Sequence, residues 1–181
     1  MTECIEHISY DQLNAIISNS KRTGIFIVHL NETFSAFQIN TKLRIAAFMG
    51  EVMHESGSFQ FMRELASGKA YDGRKDLGNI FPGDGPNFKG RGLLQITGRT
   101  NYSDCSKALF GDNTLLKTPD LLASPHYACL SAGWFWNSRG LNAYADQGEP
   151  GYQTVTKRIN GGLNGWEQRL QYYRSIIKIL A

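Results

Sequence analysis

The sequence predicts an α+β, mainly helical domain interrupted by a Gly-rich β/loop insertion. Apolar residues recur at helical spacing before residue 56 and again after residue 124. Between Ser56 and Gly92 that period is lost, while glycine stands at 57, 68, 73, 78, 83, 85, 90 and 92 and proline at 82 and 86. Phe59, Phe61, Tyr71, Phe81 and Phe88 are interleaved with these glycines, which argues against disorder. An irregular stretch of this length inside a compact domain points to function.

The elements follow in order. Ser9 and Gln12 have capping-box spacing, and Leu13, Ile16 and Ile17 then recur helically, so a first short helix runs to Asn19. A second helix covers Gly24 to Phe37. Asn40 or Thr41 caps a third, on which Ile45, Phe48, Met49 and Val52 form an i, i+3, i+4, i+7 stripe. Ser56-Gly57-Ser58 breaks that helix. After the insertion, LLQIT at 93 to 97 reads as a strand. Ser124-Pro125 starts a further helix that stops at Arg139-Gly140. Helices over Tyr152 to Ile159 and Trp166 to Leu180 complete the set. The last carries an apolar stripe (Trp166, Leu170, Tyr173, Ile177, Leu180) beside Arg169, Arg174 and Lys178, which fits either core docking or a membrane-disrupting basic helix. Ile176 and Ile179 widen the apolar face and favour docking.

Composition excludes several classes. The chain has 181 residues and 41% hydrophobic side chains, enough for one good core and one domain, residues 1–181. A net charge of +3 is far from the basic stripe of a nucleic-acid binder. The N-terminus has acids where a secretory leader would be basic, and no apolar run approaches the roughly 20 residues of a membrane span. The expectation is a soluble monomer with neither stable membrane insertion nor a nucleic-acid partner. Cys4, Cys105 and Cys129 fit no disulfide or zinc framework and read as free thiols. His7, His29, His54 and His126 are widely scattered and no H-E-x-x-H occurs, so no metal and no cofactor is expected. Lys89 is followed by Gly90, which removes the G-K-[ST] of a phosphate loop.

The stretch EVMHESGSFQFMREL, residues 51 to 65, is acid-rich. Glu55 lies three residues after Val52 and seven after Phe48, so it points along the apolar stripe into core or cleft. A carboxyl there is either paired or shifted upward in pKa, as a general acid requires. Glu51, one turn earlier, fits that reasoning equally. Glu64 follows nine residues after Glu55, about 13 Å along a continued helix, but the break at 56 to 58 lets it turn back. Two carboxylates across a cleft are the pattern of glycoside hydrolysis. His54 is rotated 100° from Glu55 and reads as a buried or loop-bracing histidine.

HES at 54 to 56, RELASGKAYDGRKDLGN at 63 to 79, PGDGPNFKGRGLLQITGRTNY at 82 to 102 and RINGGLNGWEQRLQYY at 158 to 173 together resemble the family 19 glycoside hydrolases. They look most like the branch used as bacteriophage endolysins. The resemblance implies a lysozyme-like domain, with the insertion forming the cleft, and an inverting mechanism. It implies Glu55 as general acid, Glu64 as general base and Thr97 as the hydroxyl that holds the attacking water. It implies Gln95 and Asn101 as sugar-binding amides, and Tyr71 and Arg74 as cleft-lining residues. Asn160 and Arg169 match a polar network beneath the cleft, in which the guanidinium holds the base ionised.

The endolysin resemblance implies the bacterial cell-wall glycan, peptidoglycan, as substrate, cut at β-1,4 bonds with lysis of the host cell. No separate wall-binding module is expected. The protein would wait in the host cytoplasm and depend on a holin to open the membrane. A chitinase acting on β-1,4-linked N-acetylglucosamine is the alternative enzyme. A non-catalytic wall-binding protein is the alternative outside enzymes, disfavoured by the joint presence of Glu55, Glu64 and Thr97.

Overall fold

The computed structural model describes residues 4–181, most of them in ten α-helices. The leader-free reading of the N-terminus falls partly on residues 1–3, which lie outside the described residues. The capping box forms as expected. Ser9 Oγ accepts from the Gln12 N–H at 3.1 Å, and the Gln12 side chain accepts from the Ser9 N–H at 2.8 Å. The first helix is α1 (Tyr10–Ile17). α2 (Ser20–Ala36) begins before Gly24 because Asn19 caps it, accepting from the Arg22 N–H at 3.0 Å. α3 (Lys42–Glu55) is capped by Thr41, and its stripe of Ile45, Phe48, Met49 and Val52 is fully buried.

The insertion contains 3₁₀ turns at Lys69–Tyr71 and Lys75–Leu77 and the one-turn helix α4 (Asp84–Asn87). Extended structure among the described residues is confined to isolated bridges, two of which, Arg63 with Arg91 and Arg91 with Ile96, lie here. The expected strand at 93 to 97 is a tight turn instead. Arg91 N–H donates to Ile96 O at 3.2 Å and Ile96 N–H to Arg91 O at 2.7 Å, so the chain reverses between them. Leu93 and Leu94 are buried at the tip, which explains the apolar run without a strand.

The remaining helices are α5 (Arg99–Phe110), α6 (Thr114–Lys117), α7 (Pro125–Ser138), α8 (Leu141–Ala145), α9 (Glu149–Asn160) and α10 (Trp166–Ile179). Helical periodicity does not announce α5, whose buried face is Tyr102, Cys105 and Ser106. Where one core was expected, buried apolar residues form two clusters. The larger joins α1, α2, α3, α7, α8, α9 and α10. The smaller gathers Phe88, Ile96, Tyr102, Cys105, Leu115 and Leu122, and Phe135 of α7 packs against both. All three cysteines are free thiols, Cys105 and Cys129 buried; burial pushes the Cys105 thiol up to about 12.

α10 packs along α3. Leu170, Tyr173, Ile176 and Leu180 are buried, as the docking reading requires. No helix among the described residues is long and apolar enough to cross a membrane. Gly50 on α3 makes the approach possible: a Cβ there would overlap Tyr152 Oη and come within 3.4 Å of the Arg169 carbonyl oxygen. Each buried apolar side chain contributes roughly 1.5–3 kcal/mol, so losing four of them removes an amount comparable to a domain's whole net stability of about 5–15 kcal/mol. Deletion of residues 166–181 should therefore abolish cooperative thermal unfolding. A synthetic peptide of those residues should leave anionic liposomes intact. A truncated protein that still melts cooperatively, with a peptide that releases dye, would overturn the docking account.

Candidate active site

Glu55 is the last residue of α3, and the turn after it is built by Ser56. Ser56 Oγ donates to Val52 O at 2.6 Å and accepts from the Phe59 N–H at 2.8 Å. Gly57, Ser58 and Phe59 then take φ values of 56°, 56° and 64°, which reverses the chain as the break at 56 to 58 suggested. Two non-glycine residues in the left-handed region mark a turn held by its surroundings.

Beneath Glu55 lies an ion cluster drawn from three helices. Arg169 of α10 donates from one terminal nitrogen to Glu51 Oε2 and from the other to Glu55 Oε1, while its Nε donates to Asn164 O at 3.2 Å. Thr156 of α9 donates to the remaining Glu51 oxygen at 2.6 Å. The side chains of Arg169 and Glu51 are 2% and 0% exposed, and that of Glu55 is 27% exposed. Burial raises the Glu51 carboxyl above the ordinary carboxylate range, opposed by Arg169, Thr156 and Tyr152. Burial and Glu51 together push the Tyr152 phenol well upward.

This geometry corrects two expectations. Arg169 serves Glu51 and Glu55, the side of the expected acid, and makes no contact with Glu64 among the described residues. Glu51, an equal candidate for the acid on spacing alone, has no surface from which to reach a substrate. Its place one helical turn before Glu55 was the available signal for a shared partner. Thr156, Tyr152 and Asn164 carried no such signal.

Glu64 sits in a second group. Its Oε1 accepts from the Tyr71 hydroxyl at 3.1 Å and its Oε2 from the Gly90 N–H at 3.1 Å, while its own N–H donates to Gly90 O at 2.9 Å. A Cβ at Gly90 would come within 2.7 Å of Gln95 Oε1 and 3.3 Å of Glu64 Oε2, so the glycine leaves room for the tips of the two side chains to converge there. Gln95 has φ 50° and donates from Nε2 to Gly92 O at 2.8 Å. Thr97 Oγ1 donates to Gln95 O at 2.9 Å, which leaves its lone pairs open. Asn101 Nδ2 donates to Thr97 O at 2.7 Å, tying the loop to α5.

The other expected site residues divide. Asn160 Nδ2 donates to Asn164 O at 3.2 Å, the same oxygen that Arg169 Nε reaches, so Asn160 joins the polar network. Arg74 is exposed and forks onto Asp76 at 2.8 and 2.6 Å, one turn from Tyr71, whose phenol feels its charge. His54 Nδ1 lies 2.7 Å from Gln168 Oε1, so it braces α10. His29 and His126, 97 residues apart in the sequence, converge with Glu32.

Two separately held carboxylates on a mainly helical fold are compatible with the paired-carboxylate pattern of glycoside hydrolysis, and comparison with known proteins supplies the family. The family model described as chitinase class I matches residues 23–143. The chain belongs to the family 19 glycoside hydrolases. It is 37% identical over 157 residues to an endochitinase of Arabidopsis thaliana, an alignment covering 82% of this chain and 53% of that protein. A glycosyl hydrolase family 19 domain-containing protein of Haemophilus influenzae is 34% identical over 114 residues, 63% of this chain and 53% of that protein. The chain thus spans about half the length of these relatives. The fold matches chitinase C from Streptomyces griseus with a TM-score of 0.77 at 24% identity, over 96% of this chain and 92% of that one. A class IV chitinase from Zea mays matches with a TM-score of 0.63 at 21% identity, over 96% and 82%.

The buried cluster generates a pH-dependent prediction. Arg169→Met leaves Glu51 buried without its cation, at a cost of about 3–5 kcal/mol near neutral pH. Without Arg169 the Glu51 carboxyl rises further above its unfolded value of 4.5. A group raised in the folded state binds its proton more tightly there, so stability falls as pH climbs past the unfolded value and returns as pH drops towards it. The melting deficit of the variant relative to wild type should be large at pH 7 and clearly smaller at pH 5. An equal deficit at both pH values would show that packing, not charge, is lost.

Proposed function

We propose that this chain hydrolyses β-1,4 bonds of the bacterial wall glycan by a single inverting displacement. Glu55 protonates the glycosidic oxygen, Glu64 takes a proton from the attacking water, and the Thr97 hydroxyl steadies that water through its free lone pairs. The observation that carries the reading is that the two carboxylates are held in different ways. Glu55 is bound to a buried arginine and open on one side, whereas Glu64 is oriented by two neutral donors, Tyr71 and the Gly90 N–H.

One guanidinium between two carboxylates balances one negative charge, and burial favours the neutral form of Glu51. Glu55 is the member with access to solvent and therefore the one able to deliver a proton. Gln95 and Asn101 supply amides at the rim for N-acetyl and hydroxyl groups. On this reading the protein is stored in the host cytoplasm and reaches the wall once a holin opens the membrane. Chitin is the second reading, favoured by the endochitinases among the relatives.

Glu55→Gln and Glu64→Gln should each lower turnover by about 10²–10⁴ while the melting temperature stays near wild type, because the amides are nearly isosteric but transfer no proton. Glu51→Gln should keep measurable turnover and lose stability instead. A dead Glu51→Gln with an active Glu55→Gln would reverse the assignment of the acid.

Purified peptidoglycan and colloidal chitin should be digested in parallel, with new reducing ends identified by mass spectrometry and the fresh anomer by proton NMR. New muramic-acid ends on peptidoglycan are expected, with the α-anomer appearing first. Turnover of chitin alone would move the substrate to the second reading. A β-anomer appearing first would reject inversion, and no turnover of either polymer would leave wall binding without catalysis.

A further inference from the structure

We infer that His29, Glu32 and His126 form a binding site for one divalent transition-metal ion of the zinc class, clamping α2 to the first turn of α7. His29 and Glu32 lie three residues apart on one face of α2, and His126 follows Pro125 at the start of α7. Glu32 Oε2 is 3.4 Å from His29 Nδ1 and 3.3 Å from His126 Nδ1, and the two ring nitrogens are 3.4 Å apart. Three donor atoms thus form a nearly equilateral triangle.

A tetrahedral ion with bonds of about 2.0–2.1 Å requires donor-to-donor edges of about 3.3–3.4 Å. The triangle has the size of one face of that tetrahedron. The ring planes meet at 74°, with both Nδ1 atoms directed inward. Two histidines and a carboxylate are a donor set for zinc and its transition-metal neighbours, while magnesium and calcium demand more oxygen ligands. The three side chains are 30%, 49% and 42% exposed, so the fourth corner opens to water.

The helices involved are already fixed relative to one another. Two turns along α7, a Cβ on Gly133 would come within 2.6 Å of Thr33 Cγ2, so α2 and α7 meet in close contact and little must move for the ion to enter. No residue of the triad belongs to the Glu55 or Glu64 groups, so hydrolysis does not depend on the ion. An arrangement without metal is a hydrogen-bonded triad in which Glu32 accepts from both imidazoles. The two arrangements differ in what added metal does.

The test is titration of chelator-treated full-length protein with zinc sulfate, followed by calorimetry and thermal melting. One equivalent should bind saturably, and at a hundredfold excess over Kd the melting temperature should rise by about 5–10 °C. Cobalt should give the visible absorption of a four-coordinate site, and magnesium or calcium should change nothing. His29→Ala and His126→Ala, checked for an intact circular dichroism spectrum, should each weaken binding by at least about tenfold, with Glu32→Gln as a milder third variant. His7→Ala should bind as wild type. Absence of binding up to millimolar zinc, or wild-type binding in both the His29 and His126 variants, would overturn the proposal.

Discussion

A guanidinium with almost no exposed surface has to be surrounded by anions, and Arg169 imposes that demand on three helices at once. Desolvating a cation costs several kcal/mol unless the geometry around it is complete. Here completion comes from Glu51 and Glu55 on α3, the Asn164 carbonyl before α10, and Thr156 of α9 bonded to Glu51. α10 can deliver Arg169 to this position only because Gly50 leaves room for Tyr152 and for the helix backbone. Apolar residues of similar volume can fill such a space with equal or greater stability. The cluster is therefore better explained by what it holds at its edge, the partly exposed Glu55, than by stability alone.

The insertion solves a different problem, that of ordering many glycines without a sheet. Asp84 is 1% exposed and is forked by Arg99 at 2.9 and 2.6 Å, with Arg99 also lying over the Phe81 and Phe88 rings. The Arg99 guanidinium is the main cause holding the Asp84 carboxyl below its ordinary range. Arg91, 5% exposed, binds Asp120 at 2.8 Å, the Tyr102 hydroxyl at 2.9 Å and the Asn87 carbonyl at 2.8 Å. Side chains from α5 and the segment before α7 thus replace the ladder of backbone bonds that strands would supply. Burial keeps Tyr102 neutral beside that arginine.

What the sequence disclosed follows from the range of the forces involved. Caps and stripes are local, so the starts of α1 and α3, the break after Glu55 and the docked face of α10 were legible. Arg169 belongs to the same helix but was harder to place, because it adjoins the stripe residue Leu170 and reads locally as one of three cations. Its partners are 114 and 118 residues away. The turn at 93 to 97 was misread because a buried apolar run carries no mark of reversal, and α5 was missed because its packing face includes polar Ser106. The convergence of His29 with His126 is set by the crossing of α2 and α7, about which residue spacing is silent. The family blocks reached further because they record several elements together, yet they set Arg169 beside the expected base, whereas its bonds go to Glu51 and Glu55.

The two carboxylates also differ in what anchors them. Glu55 is tied through Arg169 to α10 and the larger apolar cluster, whereas Glu64 is tied to Gly90, two residues from Phe88 of the smaller one. The chain between them is pinned as well: Gly92 N–H donates to Met62 O at 2.9 Å and Glu64 N–H to Gly90 O at 2.9 Å. Met62 packs against the larger cluster, so these bonds stitch the two clusters together beside the site. The separation of the two carboxylates is therefore fixed by packing between clusters, with Phe135 shared by both, rather than by the short segment from 55 to 64. A well-packed interface resists small displacements. That stiffness suits the proposed inverting displacement, in which one water fits between two carboxylates, and it explains why residues remote from Glu55 and Glu64 in sequence set the geometry of the site.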